Sequence, residues 1–377
     1  MNTLLKYIPI SVLILCTGCS TLFDLRLPVI NVATALPEVP LATQTPLPTP
    51  TALPSATLTP SLTPSPAPTH TPTPIPTPTP TLHPMEIVAM RQGSYPGSDI
   101  VIDKELEKGP NFRRYYAWYR SEGLKIYGML TIPQAPMPQG GYPALVFLHG
   151  SIEPTIYRTL ERYVAYTDWL SRSGYVVFKI DLRGHDRSEG IATGAYSTPG
   201  FTVDTLNAVA SLQRHPQINP EKIGMWGHSM GGFLALRAMV ISKQIKVGVI
   251  WAGLVCDYPD MFYRWRRNPA TATPRVFTSG WRAEWIAANG TPEEAPEFWK
   301  AVSANTYLAD LSGPLQLHHG TGDTSVPAVF SEELDVAVKE VGGTSELHIY
   351  KADNHNLSVS FATAMTRTVQ FFDKYLK

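Results

Sequence analysis

Along residues 85–377, short uninterrupted apolar runs alternate with stretches whose apolar positions recur every three or four residues. The runs 143–148 (P-A-L-V-F-L) and 175–180 (Y-V-V-F-K-I) are too short for helices, which predicts strands buried on both faces. Further strands are predicted over 222–226, 245–251, 315–318 and 346–350. The helical period predicts helices over 157–171, 203–213, 232–242, 326–341 and 358–375. Ahead of these, 115–120 and 124–132 flank Ser121-Glu122-Gly123 and predict a hairpin. Strands alternating with helices imply the α/β class, a mostly parallel sheet covered on both faces. Ligands of such sheets bind beyond the C-terminal ends of the strands, so chemistry is expected there.

Before residue 85 the pattern changes. Residues 1–19 read as a signal peptide: Lys6 supplies a positive start, and 7–16 an apolar run about half the length that spans a bilayer. Thr17 and Gly18 then precede Cys19, which resembles the lipobox of bacterial lipoproteins. The resemblance implies a diacylglyceryl group on Cys19, cleavage before it, and an extracytoplasmic domain anchored to the membrane. A plain cleaved signal giving a secreted protein is the alternative. Residues 20–84 are expected to be a disordered linker, dominated from Leu36 onward by Pro, Thr, Ala and Leu. Proline fixes φ and removes backbone donors, which favours polyproline II over helix or sheet. At about 3.1 Å per residue the stretch from Leu36 to Pro84 reaches on the order of 150 Å as a tether. Its threonines are also candidates for O-glycosylation.

Charge narrows the partners. Lys plus Arg and Asp plus Glu are equal at 31 each, and the longest basic cluster is Arg264-Trp265-Arg266-Arg267. That excludes the concentrated basic surface a nucleic-acid binder needs. Of the three cysteines, Cys16 and Cys19 form a C-x-x-C inside the apolar N-terminal stretch, a poor setting for a redox pair. Cys256 stands alone in 85–377, so no disulfide within that part is available, and it reads as a small buried hydrophobe.

The central signal is Gly227-His228-Ser229-Met230-Gly231, between a predicted strand and a predicted helix. A strand-to-helix turn this sharp strains the backbone of its middle residue and exposes the side chain, and its flanks need glycine for lack of room. Ser229 is therefore the candidate nucleophile. A serine hydroxyl needs a base within reach. The base in this order follows both serine and acid; His318 and His319 end a predicted strand and His348 lies within one, whereas His355 stands in a loop between the last strand and the last helix, where a base is expected. Asp323, following the 315–318 strand, is the candidate acid that fixes the imidazole tautomer. Asp257 and Asp353 are its rivals. The oxyanion calls for two donors, expected at the Met230 N–H, favoured by the helix it opens, and the Ser151 N–H of the loop after the first buried strand. His149 in that loop reads as structural. The run Asp181-Leu182-Arg183-Gly184-His185-Asp186-Arg187-Ser188 is expected to position loops round the site, its charges paired with one another. No metal motif, P-loop or dinucleotide fingerprint is present, and no cofactor is implied.

With these residues in place, 104–377 resembles the catalytic domain of the prolyl oligopeptidase family and its dienelactone-hydrolase-like and acyl-aminoacyl-peptidase-like relatives, all α/β-hydrolases. The carrying features are Glu122-Gly123-Leu124-Lys125-Ile126, the His149-Gly150 loop, the G-H-S-M-G-G turn and Gly322-Asp323-Thr324-Ser325-Val326-Pro327. By that match Ser229, Asp323 and His355 inherit the triad. The resemblance implies a serine hydrolase acting on small esters or short peptides, without the gating β-propeller many members carry, for which the chain has no room. A surface protein using the fold only for binding is the alternative. An aromatic- and arginine-rich insert, 254–305, is a candidate cap whose Phe262, Tyr263, Trp265, Trp281, Trp285 and Trp299 either line an acyl pocket or pack it onto the domain. Its Arg264, Arg266, Arg267 and Arg282 either meet an acidic substrate or form a solvated face. Oligomeric state is not legible.

Overall fold

The structure, a computed structural model, describes residues 82–265 and 279–377. The chain divides into Met1–Ile75 and Pro76–Lys377, and all described residues belong to the second unit. The expected signal peptide, Cys19, nearly all of the 20–84 linker, and Arg266 and Arg267 lie outside the described residues.

The described strands are β1 (Val101–Glu105), β2 (Phe112–Ser121), β3 (Leu124–Pro133), β4 (Tyr142–Leu148), β5 (Val176–Ile180), β6 (Ile218–His228), β7 (Val247–Trp251), β8 (Leu315–Gly320) and β9 (Ser345–Tyr350). They form a nine-stranded sheet in the order β1-β2-β3-β5-β4-β6-β7-β8-β9. The first three are antiparallel, as is the β3–β5 pair, and the remainder run parallel. Glu122 and Gly123, with φ of 50° and 83°, make the tight turn of the β2–β3 hairpin, the left-handed pair that two-residue hairpin loops require.

Strand β4 shows why the centre is buried on both sides. Ala144, Val146 and Leu148 join a core with Leu206, Phe233 and Leu334, from helices α3 (Gly200–Gln213), α4 (Met230–Ile241) and α8 (Val329–Glu340). The alternate residues Leu145 and Phe147 join a second core with Leu170 and Phe372, from α2 (Val164–Arg172) and α9 (Phe361–Leu376). Successive side chains point to opposite faces, so a run apolar at every position belongs between two helical layers. This is the α/β-hydrolase arrangement the sequence implies. The chain leaves β4 toward β5 on one side and returns to β6 on the other, so the strand order reverses there and opens a crevice beyond the C-terminal ends of β4 and β6.

Two local differences from the sequence reading have clear causes. Helix α2 begins at Val164, because Tyr163 has a left-handed backbone (φ 59°) and the segment before it is held in irregular form by polar side chains of the sheet. Strand β1 and helix α1 (Ile87–Arg91) carry no readable period: all five residues of β1 are exposed, and α1 has five residues.

Among the described residues, the insert holds α5 (Tyr258–Tyr263), α6 (Gly280–Asn289) and α7 (Pro296–Val302), and leads into a 3-10 turn, Ala304–Asp310. Its aromatics pack against one another: Tyr258 stacks on Trp285 at 5.2 Å, and the Phe262 and Trp299 rings meet edge-on at 5.0 Å. Trp285 and Trp299 are buried, and His83 packs its ring on Trp285 and Phe298. Arg264 pairs with Glu333 and Asp260, and Arg282 lies over the Trp265 and Trp281 rings. Cys256 is buried. These contacts pack the insert's aromatics together, and the cleft that Ser229 and His355 share is lined by Gly150, Ser151, Tyr163, Tyr166 and His228.

Candidate active site

Ser229 stands between β6 and α4 with φ 56° and ψ −116°, a strained conformation for a residue with a Cβ. The neighbouring glycines are sterically required. A Cβ on Gly227 would strike the Gly231 carbonyl, and one on Gly231 the Leu148 carbonyl, both backbone atoms without freedom to yield. The turn thus presents a partly exposed serine above the sheet.

His355, in the loop between β9 and α9, lines the same cleft as Ser229, together with Gly150, Ser151, Tyr163 and His228. Its Nδ1 lies 2.6 Å from Oδ2 of Asp323, whose carboxylate is fully buried after β8. The same Oδ2 receives His319 Nε2 at 3.1 Å, while Oδ1 accepts the Ser325 and Val326 N–H groups at 2.7 and 3.0 Å. Burial alone would raise this carboxyl. The hydrogen bonds from His319, His355 and Val326 outweigh it and hold the group well below the usual carboxylate range. A permanent anion therefore faces His355 Nδ1, which favours a proton there and leaves Nε2 as the basic nitrogen.

The rival carboxylates have other roles. Asp257 caps α5 by accepting the Asp260 N–H at 2.9 Å. Asp353 accepts the Asn354, Val359 and Ser360 N–H groups at 2.8, 3.2 and 2.8 Å and so braces the loop that carries His355. Among the described residues, the Met230 and Ser151 amides donate to no acceptor, consistent with a helix N-terminus and a loop facing a cleft.

The loop after β4 is held from behind. His149 is buried, stacks on Tyr157 at 4.4 Å, and is pushed down to about 3 by burial and by His185, so it is a neutral structural group. Tyr157 donates to Asp181 at 2.9 Å, and the Thr159 N–H donates to Asp186 at 3.0 Å. Lys179 Nζ, also buried, donates to the Arg162 carbonyl at 2.8 Å. The 181–188 charges pair with these neighbours rather than with one another: Arg183 meets Asp204 and Glu122, and Arg187 meets Asp103. Sequence reasoning missed His319, Tyr163 and the Tyr157–Asp181 contact. The one available signal was that His318-His319 closes the strand before Asp323. Among the described residues, no cluster of three His, Cys, Asp or Glu side chains is set to hold a metal.

Residues 162–377 match the Prolyl oligopeptidase family. The chain is 26% identical over 261 residues to uncharacterized peptidase YtmA of Bacillus subtilis (strain 168), spanning 68% of this chain and 92% of that protein. Among solved structures, dipeptidyl peptidase 4 of Porphyromonas gingivalis superposes with a TM-score of 0.55 at 23% identity, over 71% of this chain and 36% of that one. The acetyl xylan esterase from Paenibacillus sp. R4 superposes with a TM-score of 0.56 at 18% identity, over 77% of this chain and 92% of that one. These two structural likenesses show a shared fold, and the chain spans about a third of the dipeptidyl peptidase.

Proposed function

Because the chain belongs to the prolyl oligopeptidase family and is a serine hydrolase of the peptidase or esterase type, we propose that it transfers acyl groups to water through a covalent acyl-Ser229. Ser229 Oγ attacks the substrate carbonyl carbon while its proton passes to His355 Nε2. The oxygen that becomes anionic is met by the Met230 and Ser151 N–H groups. Collapse breaks the bond to the leaving group, which takes the proton from His355 and departs as alcohol or amine. Water then attacks the acyl-serine by the same proton path, which frees the acid and restores Ser229. Asp323 keeps His355 in the required tautomer and stabilises its cation.

The observation that carries this reading is the 2.6 Å contact between His355 Nδ1 and a buried carboxylate, at a cleft shared with a strained serine. A fluorophosphonate probe is expected to label the wild-type protein, and Ser229→Ala to abolish labelling. Labelling that survives the substitution refutes the assignment. The substrates favoured are small esters over short peptides. Comparing p-nitrophenyl acyl esters with aminoacyl anilides tests this, and anilide turnover equal to ester turnover would reverse it. The N-terminal sequence further supports lipid anchoring through Cys19 outside the cytoplasm. Wild type is then expected in the membrane fraction and Cys19→Ala in the soluble fraction; wild type found wholly in the medium excludes the anchor.

A further inference from the structure

Three loops meet at the cleft: the oxyanion loop after β4, the serine turn after β6, and the His355 loop after β9. One chain of side chains joins them. The Gly150 N–H donates to Tyr163 Oη at 2.9 Å, Tyr163 Oη lies 2.7 Å from His228 Nδ1, and His228 Nε2 lies 2.9 Å from the His355 carbonyl.

The chemistry of its ends fixes the direction of this chain. A backbone amide only donates and a carbonyl only accepts. The His355 carbonyl therefore requires the His228 proton on Nε2, which leaves Nδ1 bare. Tyr163 Oη already accepts from Gly150, so its own proton goes to Nδ1. Every donor faces an acceptor only if His228 is the neutral Nε2–H tautomer. Burial and the neighbouring His355 push the ring down to about 3, so it stays neutral at working pH.

Two further features mark the chain as specified rather than incidental. Tyr163 sits at φ 59°, a left-handed backbone unfavourable for a bulky residue, yet its ring packs edge-on to Phe147 at 5.5 Å and its hydroxyl reaches the loop. With the Gly150 N–H engaged by Tyr163, the Ser151 N–H, next along the loop, is left to face the cleft.

We propose that Tyr163 and His228 are positioning residues, a directed hydrogen-bond chain that locks the oxyanion loop to the backbone of the base. The proposal rests on the acyl-transfer reading above. It accounts for a histidine inside the serine turn that takes no proton from Ser229.

Nitrogen-15 histidine spectra of the intact protein at pH 7, with the His228 signal assigned by its loss in His228→Gln, test the tautomer. A protonated Nε2 and a bare Nδ1 are expected, and a protonated Nδ1 overturns the chain. Tyr163→Phe keeps the ring and removes only the hydroxyl. On p-nitrophenyl esters its kcat is expected to fall about 10-fold, the scale of losing one hydrogen bond. KM should stay within about threefold, because substrate binding is not what the chain controls. Tyr175→Phe, which deletes a hydroxyl bonded to Asp373 away from the cleft, should keep wild-type kcat. Labelled wild type with unaltered kcat in Tyr163→Phe removes the chain alone. Wild type that takes no fluorophosphonate removes the hydrolase reading instead. If Tyr163→Phe fails to fold, the wild-type spectrum still decides.

Discussion

Replacing Asp323 with Asn tests the electrostatics of the site most directly. The carboxylate accepts four hydrogen bonds: His355 Nδ1 at 2.6 Å and His319 Nε2 at 3.1 Å on one oxygen, the Ser325 and Val326 amides on the other. An asparagine can keep its amide oxygen toward the two backbone donors, which cannot change. Its NH2 group then faces two imidazole nitrogens. His355 relieves the donor–donor clash by moving its proton to Nε2, so that Nδ1 accepts. For the proposed reaction that is the wrong tautomer: Nε2, the nitrogen assigned to take the Ser229 proton, already carries one. In the general serine-triad template this exchange lowers kcat about 10⁴-fold, equivalent to about 5.5 kcal/mol of barrier. Asp353→Asn is the matched control, since Asp353 accepts from the Asn354, Val359 and Ser360 amides and the Ser360 side chain, all in its own loop, and from neither imidazole. It should cost on the order of 1–2 kcal/mol of stability while leaving kcat within about threefold. Steady-state ester hydrolysis with thermal melting of both variants decides. An Asp323→Asn enzyme retaining a tenth of wild-type kcat, or an Asp353→Asn loss of equal size, would refute the tautomer argument.

Acid should unfold the domain early. His149 and His228 are each pushed down to about 3, so between their unfolded pKa and pH 3 only the unfolded chain binds those protons. Stability present above pH 6.5 is then lost as pH falls, by about 1.4 kcal/mol per unit for each ring; buried His318 acts in the same direction. The urea midpoint should drop steeply from pH 6.5 to 5, and a flat midpoint over that range contradicts neutral buried rings. Gly231→Ala forces a methyl into the Leu148 carbonyl at the end of β4, and overpacking of this kind costs about 1–3 kcal/mol. Its melting temperature and its kcat should both fall; wild-type values for both would mean that the turn has room.

What the sequence disclosed follows from what each feature depends on. Strands β4 and β5 were legible because burial on both faces leaves a continuous apolar run, a property of the residues themselves. The placement of Ser229, Asp323 and His355 just beyond β6, β8 and β9 was legible because the strands ahead of them are marked by their own apolar runs. Strand β1 was not, since it buries no face and needs only the edge of β2 to exist. The start of α2 was misread because the apolar spacing of 157–163 fits a helix, while the segment is drawn out of helical form by Asp181, Asp186 and Lys179, about twenty residues away. His319 and Tyr163 act through hydrogen bonds whose partners no periodicity reveals.

That division bears on how the cleft is built. The loop carrying Gly150 and Ser151 is anchored by polar side chains in places where apolar ones could have been buried. Lys179 and Asp181 are both buried, and burial lowers the one and raises the other, so each resists the charge that makes it useful. Replacing such a group by a hydrocarbon would often cost nothing in stability. Apolar contacts, however, tolerate sliding, whereas a donor facing a single acceptor fixes distance and direction together. An oxyanion donor displaced by about 1 Å forfeits most of its effect. Asp186, Lys179 and Tyr163 each hold one backbone atom of the same loop, the Thr159 N–H, the Arg162 carbonyl and the Gly150 N–H, and Asp181 holds the Tyr157 hydroxyl. On the proposed acyl-transfer reading, their joint effect is to hold the Ser151 amide at one position relative to Ser229, which apolar packing alone would leave free to drift.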